Sequence, residues 1–317
     1  MKIAQITWNR YSNYGNILQK FALHHTLRKF ADDVEVIWNE YSAFLPETGF
    51  DKFFQIVCPN RIADNRLYYL REAIRQSKFK DFENLHIPTR FYIPYLEEIA
   101  DEYDFFVVGS DQVWNPWSLR DPKYLIASVP QEKKIAYAAS VSNPTIPDEL
   151  KELFTKGILD FKRVSVREQG SAEVIEELTG KSVPVRLDPT LLLSREEWLK
   201  VSQKPTWFKE KYRRGYVLTY YLRKLPPPEV KIFAEKLDLP VINLLYLANY
   251  NHFTVGPAEF IWLFSNASLI FTNSFHGCVF SILFKRPFCF RRGIRRKVSC
   301  TPYGGEKSRR TGKFARK

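Results

Sequence analysis

The sequence has few of the sulfur-containing residues that form disulfides or bind metals, with four cysteines and one methionine in 317 residues. The cysteines form no CxxC pair and lie far apart, at Cys58, Cys278, Cys289 and Cys300. This spacing indicates neither a zinc site nor a disulfide framework. We therefore expect a protein of a reducing compartment that has no metal site.

Long apolar runs are also missing. The amino terminus has an apolar run of about six residues, too short for the core of a signal peptide. The longest apolar stretches, 260–271 and 279–284, are interrupted by polar residues or end at Lys285, well short of a membrane span. We expect a cytoplasmic protein without an integral membrane segment.

Several common signatures are absent as well. There is no GxGxxG or GxxxxGK[ST] segment, so the sequence gives no support to dinucleotide or P-loop chemistry. There is also no HExxH motif, no nucleophile elbow and no close cluster of carboxylates with metal-ligand spacing.

A basic face is missing too, although the formal net charge is +13. Residues 291–317 hold eleven Lys or Arg and one acid, Glu306, so about +10 of that charge lies in the last 27 residues. Residues 1–290 carry 37 basic and 34 acidic side chains. A nearly neutral body has no surface to follow a phosphate backbone, and we expect no nucleic-acid partner.

The apolar patterning of residues 1–290 stops after Phe290. The basic segment 291–317 is typical of a disordered tail that binds anions, or of a non-native continuation produced by a frameshift or premature end. We favour the second interpretation, because an α/β domain should continue beyond the strand-like segment Pro287–Phe290. We expect an incomplete C-terminal part, with 291–317 adding nothing to the folded core.

Strand-like and helix-like segments alternate along residues 1–290, which predicts parallel sheets in an α/β fold. The first set of predicted strands is Lys2–Trp8, Val34–Trp38, Asp104–Val108, Lys134–Ala138 and Arg163–Val166, and the second is Val183–Arg186, Tyr216–Tyr220, Val241–Leu244, Leu269–Thr272 and Pro287–Phe290. The predicted helices are Gly15–Phe30, Asp148–Asp160, Ser171–Thr179, Glu229–Leu237, Pro257–Asn266 and Phe275–Phe284.

Two such sets predict two Rossmann-like domains that face each other across a cleft, in the manner of GT-B enzymes. We expect one domain over 1–165 and a second over 166–290. An aromatic, basic insertion with helical segments is expected at about 43–95.

Polar residues follow the strand at 104–108 in the segment GSDQVWNP (109–116). The carboxyl end of a strand is where α/β sheets place catalytic groups. Asp111 is the candidate acid or base, and Ser110 and Gln112 supply donors and acceptors for a substrate. The alternative is that Asp111 merely caps a turn.

The segment TNSFHG (272–277) likewise follows a strand and opens a helix. His276 can exchange protons near neutral pH and is a second catalytic candidate. Backbone amides beside Gly277 favour an anion, and Asn273 and Ser274 are candidate substrate-binding residues. The alternative is a structural histidine.

Two further strand ends carry polar groups. Arg167, in SVRE (165–168), can hold a phosphate or carboxylate bidentately, or can form a surface pair with Glu168. Asp188, before Pro189, is explained as well by a turn as by catalysis. In the loop after the first strand, Asn13 and Asn16 are candidate ligand contacts.

Six segments, taken together and in this order, resemble the polysaccharide pyruvyl transferase family. They are NYGNILQKFAL (13–23), VVGSDQVWNP (107–116), KIAYAAS (134–140), SVREQG (165–170), LDPTLLL (187–193) and TNSFHG (272–277). The resemblance implies a GT-B-like enzyme with no required metal or cofactor. Such an enzyme transfers the enolpyruvyl carbons of phosphoenolpyruvate onto two hydroxyls of a sugar as a ketal and releases phosphate.

The resemblance also implies roles for particular residues. His276 matches the family's catalytic histidine, and Arg167 its donor-binding arginine. The N-terminal domain would take the acceptor, a sugar or a lipid-linked or polymeric glycan of exopolysaccharide synthesis, and the C-terminal domain the donor. Many members have an arginine where this chain has Ser274, so one donor contact must be replaced or lost.

Two other functions fit the same sequence. One is a GT-B glycosyltransferase that uses a nucleotide-sugar, because a shared architecture does not fix function. The other is an inactive, truncated or frameshifted carbohydrate-binding remnant. Donor binding separates the first from a pyruvyl transferase.

Overall fold

The computed structural model describes residues 1–8, 12–38, 64–91, 95–120, 122–222, 225–291 and 298–301. The chain divides into two compact units, one of residues 1–206 with 246–262 and one of residues 207–245 with 263–317. Within the described ranges, no helix is both long and apolar enough to span a bilayer.

The strands are β1 Lys2–Ile6, β2 Asp33–Trp38, β3 Thr89–Phe91, β4 Phe105–Val108, β5 Lys134–Ala139, β6 Arg163–Val166, β7 Val217–Tyr220, β8 Val241–Leu244, β9 Leu269–Thr272, β10 Phe288–Arg291 and β11 Val298–Thr301. The α-helices are α1 Tyr14–Leu27, α2 Asp64–His86, α3 Asp148–Leu159, α4 Gln169–Thr179, α5 Arg195–Lys200, α6 Glu229–Lys236, α7 Tyr250–Phe253, α8 Pro257–Asn266 and α9 Phe275–Leu283. Short 3-10 helices lie at Leu96–Glu102, Ser118–Arg120, Pro122–Leu125, Gln131–Lys133, Pro189–Leu191 and Glu210–Tyr212.

The first unit is built on a six-stranded sheet in the order β3-β2-β1-β4-β5-β6. All its neighbouring strands are parallel, so their carboxyl ends share one edge. The apolar core includes Phe106 and Val108 of β4. The buried ring of Trp114 packs edge-on against Phe154 and Phe161, with centroids 6.1 and 5.7 Å away.

Helix α1 begins at this carboxyl edge for a local reason. Asn13 has extended backbone, and its side chain accepts a hydrogen bond from the backbone N–H of Asn16 at 3.1 Å. This N-cap satisfies one of the first amides of the helix. The loop after β1 therefore leads directly into a helix whose first turn lies beside the site described below.

The second unit has a five-stranded sheet in the order β11-β10-β9-β7-β8. Strands β7 to β10 are parallel, and β11 pairs antiparallel with β10. Val217, Tyr221 and Phe271 pack with Val230 and Ala234 of α6. Two parallel-sheet units confirm the α/β class predicted from the sequence.

Residues 298–301 correct the expectation that nothing after Phe290 joins the fold. Their backbone pairs with β10, and Cys289 stands opposite Cys300 in the register. The rest of the predicted tail, residues 292–297 and 302–317, lies outside the described residues. Cys278 is a free thiol and Cys289 is disulfide-bonded, which the cysteine spacing did not indicate.

The boundary between the two units lies later in the sequence than the predicted 165/166, after residue 206. Strand β6 is the last strand of the first sheet, and Val174 and Ile175 of α4 pack into the core of that unit. The segment 246–262 returns to the first unit, where the Tyr14 hydroxyl donates to the Val255 carbonyl at 2.6 Å. The prediction followed the alternation of elements, which carries no information about such a return.

Two further predictions need comment. The strand predicted at Val183–Arg186 is wrong, because the segment forms only a single bridge between Val185 and Val166. Pro184 has no N–H to donate to a ladder. Helix α2 lies within the predicted helical insertion at 43–95, and residues 39–63 and 92–94 of that range lie outside the described residues.

Candidate active site

In the first unit, β4 ends in a turn that only glycine can begin. Gly109 has φ 145°, and a Cβ there would lie 2.0 Å from the carbonyl oxygen of Tyr137. Asp111, two residues on, has φ 69°. A left-handed aspartate is sparsely populated and is held by its surroundings. The turn places the Asp111 side chain at the carboxyl edge of the sheet.

The Arg167 side chain leaves the end of β6 and meets three carboxylates. Nη2 lies 3.4 Å from Asp111 Oδ1, Nη1 lies 3.2 Å from Asp188 Oδ2, and Nε lies 3.2 Å from Glu168 Oε2. The arginine side chain is 7% exposed. The site is therefore a buried guanidinium with an acid on each of its three nitrogens.

Each carboxylate is also held from its other side. Asp188 accepts from the Thr190 hydroxyl at 2.6 Å, and Glu168 accepts from the Ser140 hydroxyl at 2.7 Å. Asp111 Oδ2 lies 3.5 Å from Asn16 Nδ2, at the long limit of a hydrogen bond. Residues that follow β1, β4, β5 and β6 are thus tied to one cluster.

The charges of the cluster do not balance. Three carboxylates surround one guanidinium, a formal sum of −2. Burial would lower the pKa of Arg167, but the charges of Asp111, Asp188 and Glu168 outweigh it, and the pKa lies above its ordinary value. The arginine is therefore permanently charged, and its contacts of 3.2–3.4 Å are longer than the 2.7–2.9 Å usual for ionic hydrogen bonds.

The other predicted residues of the first unit have different surroundings. Ser110 is fully buried, and its hydroxyl donates to the Ala138 carbonyl at 2.7 Å. Asn13 is exposed and caps α1, Gln112 is half-buried, and Asn16 contacts Asp111. Asn16 contacts Asp111 of the cluster, and the Ser110 hydroxyl also lies 3.4 Å from Asp188 Oδ2.

Sequence reasoning missed two contacts: the ion pair of Asp188 with Arg167, and the hydrogen bond of Gln19 with the Ser110 backbone. Gln19 accepts from the Ser110 N–H at 3.1 Å. Helical spacing gives a weak signal for it, because Gln19 follows Asn16 by three residues and so lies on the same helix face. Nothing in the sequence shows that a residue 21 positions after Arg167 returns to it.

In the second unit, His276 lies in the first turn of α9 and is 7% exposed. Ser274 is the N-cap, and its hydroxyl accepts from the Gly277 N–H at 3.4 Å. A Cβ on Gly277 would lie 2.3 Å from Thr272 Oγ1, so the glycine lets the helix begin directly against β9. The histidine ring contacts the half-exposed ring of Phe275, with centroids 5.1 Å apart.

Two neighbours of His276 are engaged within the second unit. Asn273 accepts from the Leu222 N–H at 2.7 Å and donates to the Leu222 carbonyl at 3.0 Å, which joins the ends of β7 and β9. Burial raises the pKa of the Cys278 thiol to about 12. Ser274 and Asn273 therefore have structural contacts of their own, and the thiol is protonated near neutral pH.

The structure thus groups the predicted site residues by unit. Asp111, Arg167 and Asn16 form one cluster in the first unit, and His276, Ser274 and Gly277 share a helix start in the second. Among the side chains that the structure describes, no group of three or more His, Cys, Asp or Glu is arranged to hold a metal ion.

The architecture defines a class of protein fold, the GT-B-like α/β fold with two Rossmann-like units. S. aureus MnaA, in a co-structure with UDP, shares 13% identity at a TM-score of 0.50, over 95% of this chain and 80% of that one. A putative UDP-N-acetylglucosamine 2-epimerase from Listeria monocytogenes shares 12% identity at a TM-score of 0.50, over 91% and 78% of the two chains. Identity this low shows the fold alone.

The family model for polysaccharide pyruvyl transferase matches residues 13–291. The chain belongs to this family, as the six sequence segments predicted. No curated protein sequence matches it significantly.

Proposed function

We propose that this chain is a cytoplasmic pyruvyl transferase that uses phosphoenolpyruvate to form a pyruvate ketal on a glycan or glycan precursor of exopolysaccharide synthesis. The family match over residues 13–291 carries the proposal. The buried cluster around Arg167 and the helix start at His276 fit the groups that this chemistry needs. We assign no cofactor or metal to the reaction.

The reaction needs balanced proton transfers. The methylene carbon of phosphoenolpyruvate gains a proton, which leaves an oxocarbenium-like carbon that one sugar hydroxyl attacks. The C–O bond to phosphate breaks, and a second hydroxyl closes the ketal. The two hydroxyls lose two protons, of which one ends on the new methyl group and one on the released phosphate.

Asp111 and His276 are the proposed acid and base groups for these steps. Asp111 is a buried carboxylate in the turn after β4, and His276 is a buried imidazole at the start of α9. Groups held in a dry setting transfer protons with little reorganisation. We propose that Asn13 and Gln112 contact the acceptor and that Arg167, Asn273, Ser274 and Gly277 contact the donor. Ser110 is buried and bonded within the fold, so it supports the turn before Asp111 instead of contacting a substrate.

Arg167 is the proposed anchor for an anionic group of the donor. Its three carboxylate contacts are each longer than an ideal ionic hydrogen bond. A donor carboxylate or phosphate can therefore exchange with one of them, and an arginine fork suits either group. The acids that remain would keep the guanidinium oriented during that exchange.

A donor titration tests the function. Phosphoenolpyruvate should raise the melting temperature of the purified chain, because it binds the native state preferentially. Incubation with phosphoenolpyruvate and candidate glycans should release phosphate and give a product heavier by pyruvate less one water. Stabilisation by nucleotide-sugars without any effect of phosphoenolpyruvate would instead favour the glycosyltransferase.

A further inference from the structure

A buried clamp holds the peptide of Ser110, the residue before Asp111. The Ser110 N–H donates to Gln19 Oε1 at 3.1 Å, and the Thr7 hydroxyl donates to the Ser110 carbonyl at 3.5 Å. Gln19 Nε2 in turn donates to Thr7 Oγ1 at 3.0 Å. Both backbone groups of Ser110 are therefore held by two side chains that also hold each other.

The clamp acts on backbone that needs support. Ser110 lies between Gly109, with φ 145°, and Asp111, with φ 69°. A left-handed residue other than glycine is strained and persists only where its surroundings fix it. On the C-terminal side, the Asp111 carbonyl accepts a hydrogen bond from the Ser140 N–H at 3.0 Å. Before Asp111, the clamp supplies the matching support.

The clamp residues are placed to hold backbone and not ligand. Gln19 and Thr7 are at most 1% exposed. A buried amide or hydroxyl costs free energy unless it is hydrogen-bonded, so its hydrogen-bond partners indicate what the side chain supports. Here the partners belong to the turn that carries the proposed acid–base group.

A second buried glutamine offers a comparison. Gln5, on β1, is also 0% exposed, and its Nε2 donates to the carbonyl of Lys20 on α1 at 3.1 Å. It resembles Gln19 in burial and chemistry but bonds to helix backbone instead of the turn. A general loss of buried polar contacts would affect both glutamines, whereas a positioning role belongs to Gln19.

We propose that Gln19 and Thr7 are positioning residues that aim the Asp111 carboxylate through the peptide of Ser110. The inference rests on the proposed acid–base role of Asp111. A reacting group displaced by about 1 Å can lose roughly 100-fold in rate. Because Gln19 and Thr7 bond to backbone, their loss lowers kcat and leaves the KM for phosphoenolpyruvate within about twofold.

Four variants test the clamp. Gln19→Met removes both hydrogen bonds at similar volume, and Thr7→Val removes the hydroxyl but keeps the branched shape. Thr7→Ser restores the hydroxyl, and Gln5→Met is the matched control. We expect kcat to fall roughly 10- to 100-fold in Gln19→Met and Thr7→Val, and to stay near the wild-type value in Thr7→Ser and Gln5→Met.

The outcomes separate the clamp from general destabilisation. Melting temperatures of Gln19→Met and Gln5→Met are measured beside kcat, and kcat is compared per folded molecule, so that stability is not the variable. A loss of kcat in Gln5→Met as large as in Gln19→Met would overturn the inference. So would an unchanged kcat in Gln19→Met.

Amide hydrogen exchange tests the clamp without any activity. Peptides that cover 105–114 should exchange faster in Gln19→Met than in the wild type or in Gln5→Met, because the Ser110 N–H loses its acceptor. If the wild type releases no phosphate from phosphoenolpyruvate, the proposed function fails and exchange alone decides on the clamp. Equal exchange in the three proteins would show that Gln19 does not hold the turn.

Discussion

Nη2 of Arg167 lies 3.4 Å from Oδ1 of Asp111, which joins the end of β6 to the turn after β4. The same guanidinium contacts Asp188 and Glu168. Removing the arginine would leave three buried or half-buried acids facing one another, a change that is strongly destabilising for buried pairs. Substitutions at this position must therefore separate loss of a ligand contact from loss of the fold.

Arg167→Lys makes that separation, because it keeps one positive charge and removes the planar fork. A single ammonium nitrogen does not reproduce the planar, bidentate contacts of a guanidinium, so we expect affinity for phosphoenolpyruvate to fall about tenfold or more. Calorimetry on folded protein measures this affinity. Arg186→Lys changes an exposed arginine nearby and should bind as the wild type does. Unchanged affinity in Arg167→Lys would remove the arginine from the donor site.

His276→Ala tests proton transfer in the second unit. Because the imidazole is the proposed proton-transfer group, its removal should lower turnover by roughly 10²–10⁴ while the fold remains. A phosphate-release assay gives turnover, and far-ultraviolet circular dichroism checks the fold. His24→Ala removes another buried imidazole, 2% exposed on α1, and should keep its turnover per folded molecule. Near-normal turnover in folded His276→Ala would exclude the role.

The sequence predicted most elements of both sheets because their apolar runs are short and end at turn residues. It also placed Asp111, Arg167 and His276 at strand ends. It missed β11, since Val298–Thr301 lies in a basic segment without apolar alternation and its pairing is supplied by β10. Pairing between strands is a tertiary property that local pattern does not contain.

The internal geometry of the site was less accessible from sequence. The sequence leaves Asp188 open between a turn residue and a catalytic group, and its Oδ1 does accept from the Thr190 N–H of the turn at 3.0 Å. Its other oxygen lies 3.2 Å from Arg167 Nη1. One carboxylate can satisfy a local turn and a distant cation together, and spacing along the chain reveals only the first.

Gly277→Ala tests the close approach of α9 to β9. The new Cβ would lie 2.3 Å from Thr272 Oγ1, and Thr272 cannot move freely because its hydroxyl donates to the Tyr220 carbonyl at 2.7 Å. We expect a loss of about 1–3 kcal/mol in the free energy of unfolding, measured by urea denaturation.

Gly170→Ala is the matched control for that loss. Gly170 is exposed in α4, and a Cβ there meets nothing within 4 Å. Alanine should therefore leave stability unchanged or raise it by up to about 1 kcal/mol. Equal stability of Gly277→Ala and the wild type would mean that the helix start tolerates a side chain.

His24 should make the stability of the fold depend on pH. Among the described residues, neither ring nitrogen has a hydrogen-bond partner. Burial, with the nearby Arg28 charge, lowers the pKa to about 4 from its ordinary 6.5. Between these two pKa values the unfolded chain is protonated at His24 and the folded chain is not. The contribution of neutral His24 to stability is therefore complete above about pH 6.5 and is lost as the pH falls towards 4. Between pH 7 and 5 the loss is about 2 kcal/mol. In His24→Leu, the loss of urea-unfolding free energy between pH 7 and 5 should be smaller by that amount. An unchanged loss would show that His24 binds its proton equally well in the folded and unfolded chain.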